Sequence, residues 1–304
     1  MQVIAVLSLK GGVGKTTVVL GLAGAALERG VRTLVVDLDP QANATVALEP
    51  EPTAATVSDV LDDPRRSVLR RAISPSAWGD DLDVLVGSET NERHNNPDPS
   101  LKQLGRLDRA LDRLRPRDGA DGADGADGAD RADRAASDGT DETDYGLVII
   151  DCPPSLGQLT RSALVAADRA VLVSDPTIFA VAGVQRAFEA VQNERVEHNP
   201  RLQPLGVLIN RVRSRSAEHT FRVGELRELF GPLVLTGTVP DRSAIQQAQG
   251  ACVPIQHWDT PGAREVSTVF DSLLGRILRS ADRDAPNWPG SRHAMFSGGP
   301  PASE

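Results

Sequence analysis

The stretch "SLKGGVGKTT", from Ser8 to Thr17, decides how the rest of the chain is interpreted. It contains two of the only three lysines in 304 residues, Lys10 and Lys15, whereas arginine supplies the other thirty cationic side chains. An apolar run precedes the stretch and a helical pattern follows it. Glycines allow a chain to curl around a phosphate, and N–H groups at a helix start favour an anion. The stretch therefore predicts a phosphate-binding turn between a strand and a helix.

This turn departs from the ordinary phosphate loop, G-x-x-x-x-G-K-[ST]. Gly14, Lys15 and Thr16 supply its last three positions, but Leu9 stands where the first glycine belongs. Lys15 is expected to reach the β- and γ-phosphates of a nucleotide, and the Thr16 hydroxyl is expected to ligate Mg²⁺. The loop residues predicted to bind the nucleotide are Lys10, Gly11, Gly12, Val13, Gly14, Lys15, Thr16 and Thr17.

The sequence K-G-G-V-G-K-T-T resembles the deviant Walker A motif of the ParA/MinD family of P-loop ATPases. The resemblance implies that Lys10 is the signature lysine, which reaches across an ATP-bound homodimer to the phosphates held by the partner subunit. Lysine suits this role because a compact charge on a thin stem enters a crowded polyphosphate site more easily than a planar guanidinium does. The implied cofactors are ATP and Mg²⁺. The implied activity is ATP hydrolysis, slow unless a partner stimulates it.

Two further segments resemble carboxylate motifs of the same family. "TLVVDLDPQANAT" is similar to the switch motif D-x-D-P-Q-G-N, with Ala42 where the family usually has glycine. The resemblance implies that Asp39 positions or activates the attacking water and contributes to the Mg²⁺ shell, whereas Asp37 is the more structural carboxylate. "YGLVIIDCPPSLG" resembles Walker B, so Asp151 would hold Mg²⁺ through a water, and Cys152 is expected to pack as a small apolar residue. The implied catalytic residues are Lys10, Lys15 and Asp39, and the implied magnesium site comprises Thr16, Asp39 and Asp151.

The segments "GVLINRV" and "TVPDRSAI" resemble the base-recognition segments of the family. The resemblance implies that Asn210 faces the adenine and that Pro240 and Asp241 line its other edge.

Short β-branched runs alternate with helical patterns along the chain, and the runs are apolar throughout, as in strands covered on both faces. This alternation predicts an α/β fold, a mainly parallel twisted sheet flanked by helices on both faces. Together with the loop it indicates a P-loop NTPase of the deviant Walker A type. The predicted strands are 3–7, 33–38, 82–86, 147–151, 170–174, 205–210 and 234–239. The predicted helices are 15–29, 101–113, 158–167, 181–197, 217–229 and 263–279.

We predict one ATPase domain over residues 1–280, interrupted by an acidic low-complexity insert at 117–144 and followed by a tail at 281–304. Residues 118–144 contain nine Asp, one Glu and two Arg, so they carry −8 of the net charge of −9. A charged Gly/Ala/Asp repeat buries too little apolar area to offset its ordering entropy, so disorder is expected for the insert, and also for the tail. Because the insert precedes the start of a strand, it is expected at the edge opposite the nucleotide.

Two cysteines provide neither a disulfide framework nor a metal-binding pair, and residues 1–9 read as a strand rather than a signal peptide. A cytoplasmic protein is expected. No apolar run approaches the ~18 to 20 residues of a membrane span. The Pro/Gly-rich tail lacks the basic amphipathic helix with which MinD proteins dock on membrane, so a membrane partner is not expected.

The switch motif favours ParA over MinD, and the position of the loop at residue 10 leaves no preceding helix-turn-helix. The chain therefore most resembles short chromosomal-type (Soj-like) ParA proteins. The resemblance implies an ATP-dependent switch for chromosome or plasmid partitioning or cargo positioning. Its ATP dimer would bind DNA non-specifically, associate with the nucleoid and be released when a ParB-like partner stimulates hydrolysis. The alternatives are a MinD-type membrane-associated ATPase that positions the division site and a nucleotide-binding regulator without turnover.

The net charge argues against nucleic acid as a partner, but residues 201–242 carry seven arginines against four acidic residues. Two such patches, merged in an ATP dimer, would raise DNA affinity steeply. The competing interpretation is that these arginines only pair with nearby carboxylates. The residues predicted to bind DNA are Arg211, Arg213, Arg215 and Arg242.

Overall fold

The computed structural model describes residues 1–115 and 144–281, so the predicted insert and tail lie outside the described residues apart from positions 144 and 281. An eight-stranded sheet organises the described part, in the order β3-β4-β2-β5-β1-β6-β7-β8. Every neighbouring pair is parallel except β3 and β4. The strands are β1 Gln2–Leu7, β2 Thr33–Asp37, β3 Ile73–Ser76, β4 Gly79–Leu85, β5 Leu147–Asp151, β6 Arg169–Ser174, β7 Gln203–Val212 and β8 Val234–Pro240.

Helices connect these strands and cover both faces of the sheet, which confirms the predicted fold class. Short 3₁₀ helices occur at Glu89–His94, Gly231–Leu233 and Ile255–His257. The α-helices of the described residues are α1 Lys15–Glu28, α2 Asn43–Leu48, α3 Val57–Asp62, α4 Arg66–Ala72, α5 Leu101–Asp112, α6 Gln158–Ala166, α7 Ala180–Glu197, α8 Ala217–Phe230, α9 Ser243–Gly250 and α10 Pro261–Ala281.

All seven predicted strands and all six predicted helices are present, with bounds that differ by a few residues. The edge strand β3, the short helices α2 to α4, and α9 were not predicted. β3 contains Pro75 and forms an antiparallel hairpin with β4, so it lacks the apolar run that marks the inner strands. The four helices have only six to eight residues each, too few for a clear helical period.

Two hydrophobic cores lie on opposite faces of the sheet, and β1 contributes to both. Val3, Ala5 and Leu7 pack into one core, whereas Ile4 and Val6 pack into the other. Double coverage explains why the inner strands are apolar at every position.

Cys152 follows β5 and is fully buried in the first of these cores. Burial raises the pKa of its thiol far above the usual range. The residue therefore packs as a small apolar group, as the sequence predicts.

The last helix, α10, packs against α1 through a close contact between Phe270 and Gly21. A Cβ atom added to Gly21 would lie 2.2 Å from the Phe270 ring, so only glycine allows the ring to approach the helix this closely. The apolar face of α10 is buried, which confirms its prediction as a packing helix. Within residues 1–115 and 144–281, no helix combines the length and apolar character needed to cross a membrane.

The described residues that flank the insert lie at the amino edge of the sheet. The Arg115 guanidinium approaches Asp168 Oδ1 at 3.9 Å, and Asp168 Oδ2 accepts a hydrogen bond of 2.8 Å from the backbone N–H of Val3, at the start of β1. On the other side of the insert, β5 begins at Leu147, in register with Gln2. The chain thus leaves and re-enters the described structure at the edge where strands begin.

We expect Phe270→Ala to lower the free energy of unfolding by about 3 to 5 kcal/mol, because it removes a buried ring and leaves a cavity between α1 and α10. Urea unfolding followed by circular dichroism measures the change. Thr268→Ala, at an exposed position of the same helix, is the matched control and should cost less than about 0.5 kcal/mol. Equal destabilisation by the two variants would contradict the assigned packing.

Candidate functional site

The phosphate loop joins β1 to α1, and two of its glycines have left-handed backbone conformations. Gly12 has φ 78° and Gly14 has φ 89°. A Cβ at Gly12 would meet nothing within 4 Å, so the backbone faces open space there, as a cradle for an anion requires. A Cβ at Gly14 would lie 2.3 Å from Asn210 Nδ2, so that position requires glycine for conformation and for space.

The Asn210 side chain forms hydrogen bonds with the backbone of the phosphate loop. Its amide donates to the carbonyl oxygens of Val13, at 2.8 Å, and Gly14, at 3.4 Å, and its Oδ1 accepts from the Arg211 N–H at 2.8 Å. Both ends of the amide thus bond to backbone in this structure. Its contact with adenine stays a prediction.

The other two predicted base contacts lie on the neighbouring strand. Pro240, the last residue of β8, is in register with Val212 of β7, and the Asp241 N–H donates to the Val212 carbonyl at 2.9 Å. The fold therefore brings Pro240 and Asp241 to the strand end that carries Asn210. Their contact with a base stays a prediction.

The predicted magnesium residues Thr16 and Asp151 are in direct contact. Thr16 Oγ1 donates to Asp151 Oδ2 at 2.7 Å, which ties the first turn of α1 to the end of β5. The second oxygen of Asp151 is buried and has no hydrogen-bond partner. An orphaned carboxylate oxygen beside a hydroxyl is a donor set that suits Mg²⁺. Among the described residues no group of three or more His, Cys, Asp or Glu could hold a metal, so phosphate oxygens and water would have to complete the shell.

The two switch carboxylates have different environments. Asp37 Oδ2 accepts from both the N–H and the hydroxyl of Thr45, each at 2.8 Å, which anchors α2 and supports a structural role. Asp39 Oδ1 accepts from the Gln41 N–H at 3.0 Å, beyond the end of β2. Ala42 has φ 51°, a left-handed conformation that glycine adopts without strain. The residue is therefore strained where related switch motifs carry glycine.

Buried negative charge dominates the electrostatics of the site. Asp37 and Asp151 face each other in register on adjacent strands. Burial, with a smaller contribution from the charge of Asp39, raises the pKa of Asp37 to about 6 against the opposing hydrogen bonds from Thr45. Burial also raises the pKa of Asp151 well above its usual value, and the charge of Asp37 adds to this effect. A bound cation would reverse both shifts because it favours the ionised carboxylates.

Lys10 points towards the end of β6 rather than into its own loop. Its Nζ donates to both carboxylate oxygens of Asp175, at 3.0 and 2.8 Å, and to Thr177 Oγ1 at 3.2 Å. The lysine side chain remains 37% exposed. Asp175 was not predicted from the sequence, although one signal was available: an apolar strand ends immediately before it, as β5 ends in Asp151. The role of Lys10 across a dimer stays a prediction.

The four predicted DNA-binding arginines divide into two pairs. Arg213 Nε lies 2.7 Å from Asp241 Oδ2, and Arg242 Nη2 lies 2.8 Å from Glu265 Oε2. Arg213 and Arg242 therefore agree with the competing interpretation, in which the arginines pair with nearby carboxylates. Arg211 and Arg215 are exposed and form no ion pair with a carboxylate of the described residues.

Asp151→Asn should have opposite effects on stability and on binding. A raised pKa in the folded chain means that stability falls as pH rises from the unfolded-state pKa of the group to its folded-state pKa, so at pH 8 the buried carboxyl of Asp151 destabilises the free protein. The variant should gain on the order of 1 kcal/mol in urea unfolding without ligand. It should lose most of the additional stability that Mg²⁺ gives the wild type in the presence of a nucleotide. A variant that is less stable without ligand and retains the magnesium effect would contradict this account.

The chain is similar in sequence and fold to known proteins. Residues 4–254 match the family model described as the CobQ/CobB/MinD/ParA nucleotide binding domain. The chain is 28% identical to the sporulation initiation inhibitor protein Soj of Bacillus subtilis, over 89% of this chain and 96% of that protein. It is 29% identical to the chromosome partitioning protein ParA of Caulobacter vibrioides, over 94% of this chain and 97% of that protein.

A solved structure of similar fold is that of cobyrinic acid a,c-diamide synthase from Mycobacterium smegmatis with bound ADP and magnesium. Its TM-score is 0.69 at 26% identity, over 95% of this chain and 99% of the other. The family match, the full-length similarity to Soj and ParA and the phosphate-loop geometry agree with one another. The chain belongs to the CobQ/CobB/MinD/ParA family of nucleotide-binding domains.

Proposed function

We propose that the chain is an ATP-dependent partitioning switch of the ParA type. It binds Mg·ATP, forms a homodimer in that state, binds DNA non-specifically as the dimer and acts in the cytoplasm in association with the nucleoid. A ParB-like partner stimulates otherwise slow hydrolysis and releases it. The observation that carries the proposal is Lys10, a second loop lysine whose ammonium group bonds to Asp175 and Thr177, beyond the end of β6, and remains partly exposed.

Nucleotide and magnesium binding is supported by the loop and by the carboxylates beneath it. Lys15, a buried residue at the start of α1, would neutralise β- and γ-phosphate charge, and Thr16 would ligate magnesium directly. Asp151 would hold the metal through a water, and Asp39, a buried residue just beyond the end of β2, would orient the attacking water. The Mycobacterium smegmatis structure of similar fold holds ADP and magnesium, which supports the binding of a nucleotide and magnesium.

Dimerisation is supported by the surroundings of Lys10. Its partners, Asp175 and Thr177, immediately precede two exposed apolar residues, Ile178 and Phe179, which are 63% and 69% exposed. An exposed apolar pair beside a transferable ammonium group suits contact with a second copy, because burying the pair removes apolar surface from water. On contact, Lys10 exchanges the Asp175 carboxylate for the phosphates of the nucleotide in the partner subunit.

DNA binding rests on the arginines at the ends of β7 and β8. Arg211 and Arg215 are available to phosphates, whereas DNA would have to compete with Asp241 for Arg213 and with Glu265 for Arg242. The alternative membrane-associated function has less support, because the amphipathic helix α10 already packs its apolar face against the core.

Lys10→Ala should bind nucleotide through Lys15 and Thr16 yet remain monomeric with Mg·ATP, because the partner's phosphates lose their second cation. Lys10→Arg should also dimerise poorly, since a planar guanidinium does not enter the crowded site. Light scattering with Mg·ATP, in the background of the hydrolysis-deficient variant Asp39→Ala, measures the mass. Lys102→Ala, at an exposed site of α5, is the matched control and should dimerise normally. If Lys10→Ala dimerises like the control, the proposed role of the second lysine is wrong.

Arg215→Glu should weaken DNA binding by the ATP-bound Asp39→Ala protein by about tenfold at low salt and flatten the salt dependence. Arg213→Glu should have a smaller effect, because Asp241 already pairs with Arg213. Fluorescence anisotropy of a labelled duplex at several salt concentrations measures both, with the exposed Arg109→Glu on α5 as control. ATP-independent binding, or binding that neither Arg213→Glu nor Arg215→Glu alters, would remove this surface as the DNA site. Pelleting with anionic liposomes instead of DNA would favour the membrane alternative.

A further inference from the structure

A second cationic site lies at the amino edge of the sheet, opposite the phosphate loop. It is an open cleft of about 560 Å³ between the starts of β6 and β7 and the ends of α7 and α10. Among the described residues that line it, none is an aspartate or a glutamate. Four arginines line this arginine cleft: Arg169, Arg195, Arg276 and Arg279.

The positive charge of the arginine cleft is not neutralised by the described part of the chain. None of the four guanidinium groups forms an ion pair with a described carboxylate. Arg169 instead donates to the carbonyl oxygens of Asp168, at 3.1 Å, and Ser280, at 2.8 Å, and Arg276 donates to the Leu205 carbonyl at 3.4 Å. Backbone carbonyls orient a guanidinium but carry no net charge, so Arg169 and Arg276 are positioned and remain cationic.

The guanidinium group of Arg169 is partly buried in the arginine cleft, which costs desolvation energy. Burial lowers the pKa of Arg169, opposed only by the nearby Asp168. The Asp168 carboxylate is itself engaged by the Val3 N–H and approached by Arg115. An anion in the cleft would compensate this partly buried charge.

Helix ends alone do not account for the cluster. Arg195 and Arg279 lie in the last turns of α7 and α10, where cations interact favourably with the helix dipole. Arg169 begins a strand, and Arg276 lies more than one turn before the end of its helix. Two of the four arginines therefore have no helix-end explanation, and they converge with the other two on one cleft.

We propose that the arginine cleft is a second anion site of this protein, which binds a phosphate-bearing ligand separately from the nucleotide in the phosphate loop. Guanidinium forks match phosphate oxygens in pairs, so four of them suit a ligand with two or more phosphate groups. The volume is that of a small-molecule site, and Leu205, Pro232 and Leu233 offer apolar surface to an organic group. Such phosphates could come from a free polyphosphate or from a nucleic-acid backbone, and the experiment distinguishes these sources. The inference does not depend on the proposed partitioning function.

The test uses pyrophosphate as the probe, titrated calorimetrically into the full chain with excess Mg·ADP present to occupy the phosphate loop. The wild type should bind one further pyrophosphate per chain. Arg195→Glu/Arg276→Glu should lose at least tenfold in affinity. Arg186→Glu/Arg264→Glu, which makes the same charge change at exposed positions of the same two helices, should bind as the wild type does.

A labelled DNA duplex replaces pyrophosphate in the second arm. Loss of duplex binding in Arg195→Glu/Arg276→Glu, but not in the control, would assign the cleft to a nucleic-acid backbone rather than to a free polyphosphate. The proposal is overturned if neither pyrophosphate nor duplex binding differs between the cleft variant and its control. Should the charge reversal prevent folding, judged by circular dichroism, Arg195→Gln/Arg276→Gln provides the same comparison with a smaller change.

Discussion

The hydrogen bond from Thr16 to Asp151 is the interaction on which the site depends, because it fixes the start of α1 against the end of β5. It also brings the loop glycines above two buried carboxylates, Asp37 and Asp151, which face each other on adjacent strands. Buried like charges without a cation are costly. The raised pKa values of both groups express that cost. A bound cation would relieve this cost and so stabilise the form of the protein that holds it. The proposed nucleotide-driven switch requires such a difference between the free and the bound form.

The sequence predicted the parts of this arrangement that are local. The position of the glycine-rich turn between a strand and a helix was predictable because the residues that indicate it lie within ten consecutive positions. The inner strands were recognisable because coverage on both faces makes every position apolar, as Val3 to Leu7 demonstrate. Asp151 was recognisable because it ends such a run. These features depend on residue order along one segment and not on which segments meet.

Contacts between distant segments were not predictable, because they depend on strand order. Asp175 receives Lys10 only because β6 lies beside β1, and the sequence contains no direct signal of that adjacency. The amide of Asn210 reaches Val13 because β7 follows β6 in the sheet. The strain at Ala42 was likewise hidden, since a departure from the usual glycine does not reveal the backbone angle behind it. The ion pairs of Arg213 with Asp241 and of Arg242 with Glu265 could also be identified only from the folded structure.

The ammonium group of Lys10 connects the phosphate loop with the distant residue Asp175. A structure of the Asp39→Ala chain with Mg·ATP tests this most directly, by locating Lys10 Nζ relative to Asp175 and to the phosphates. The account predicts two copies facing each other, with each Lys10 released from Asp175 and within hydrogen-bond reach of a phosphate bound by the partner subunit. A nucleotide-bound single copy in which Lys10 still contacts Asp175 would contradict it.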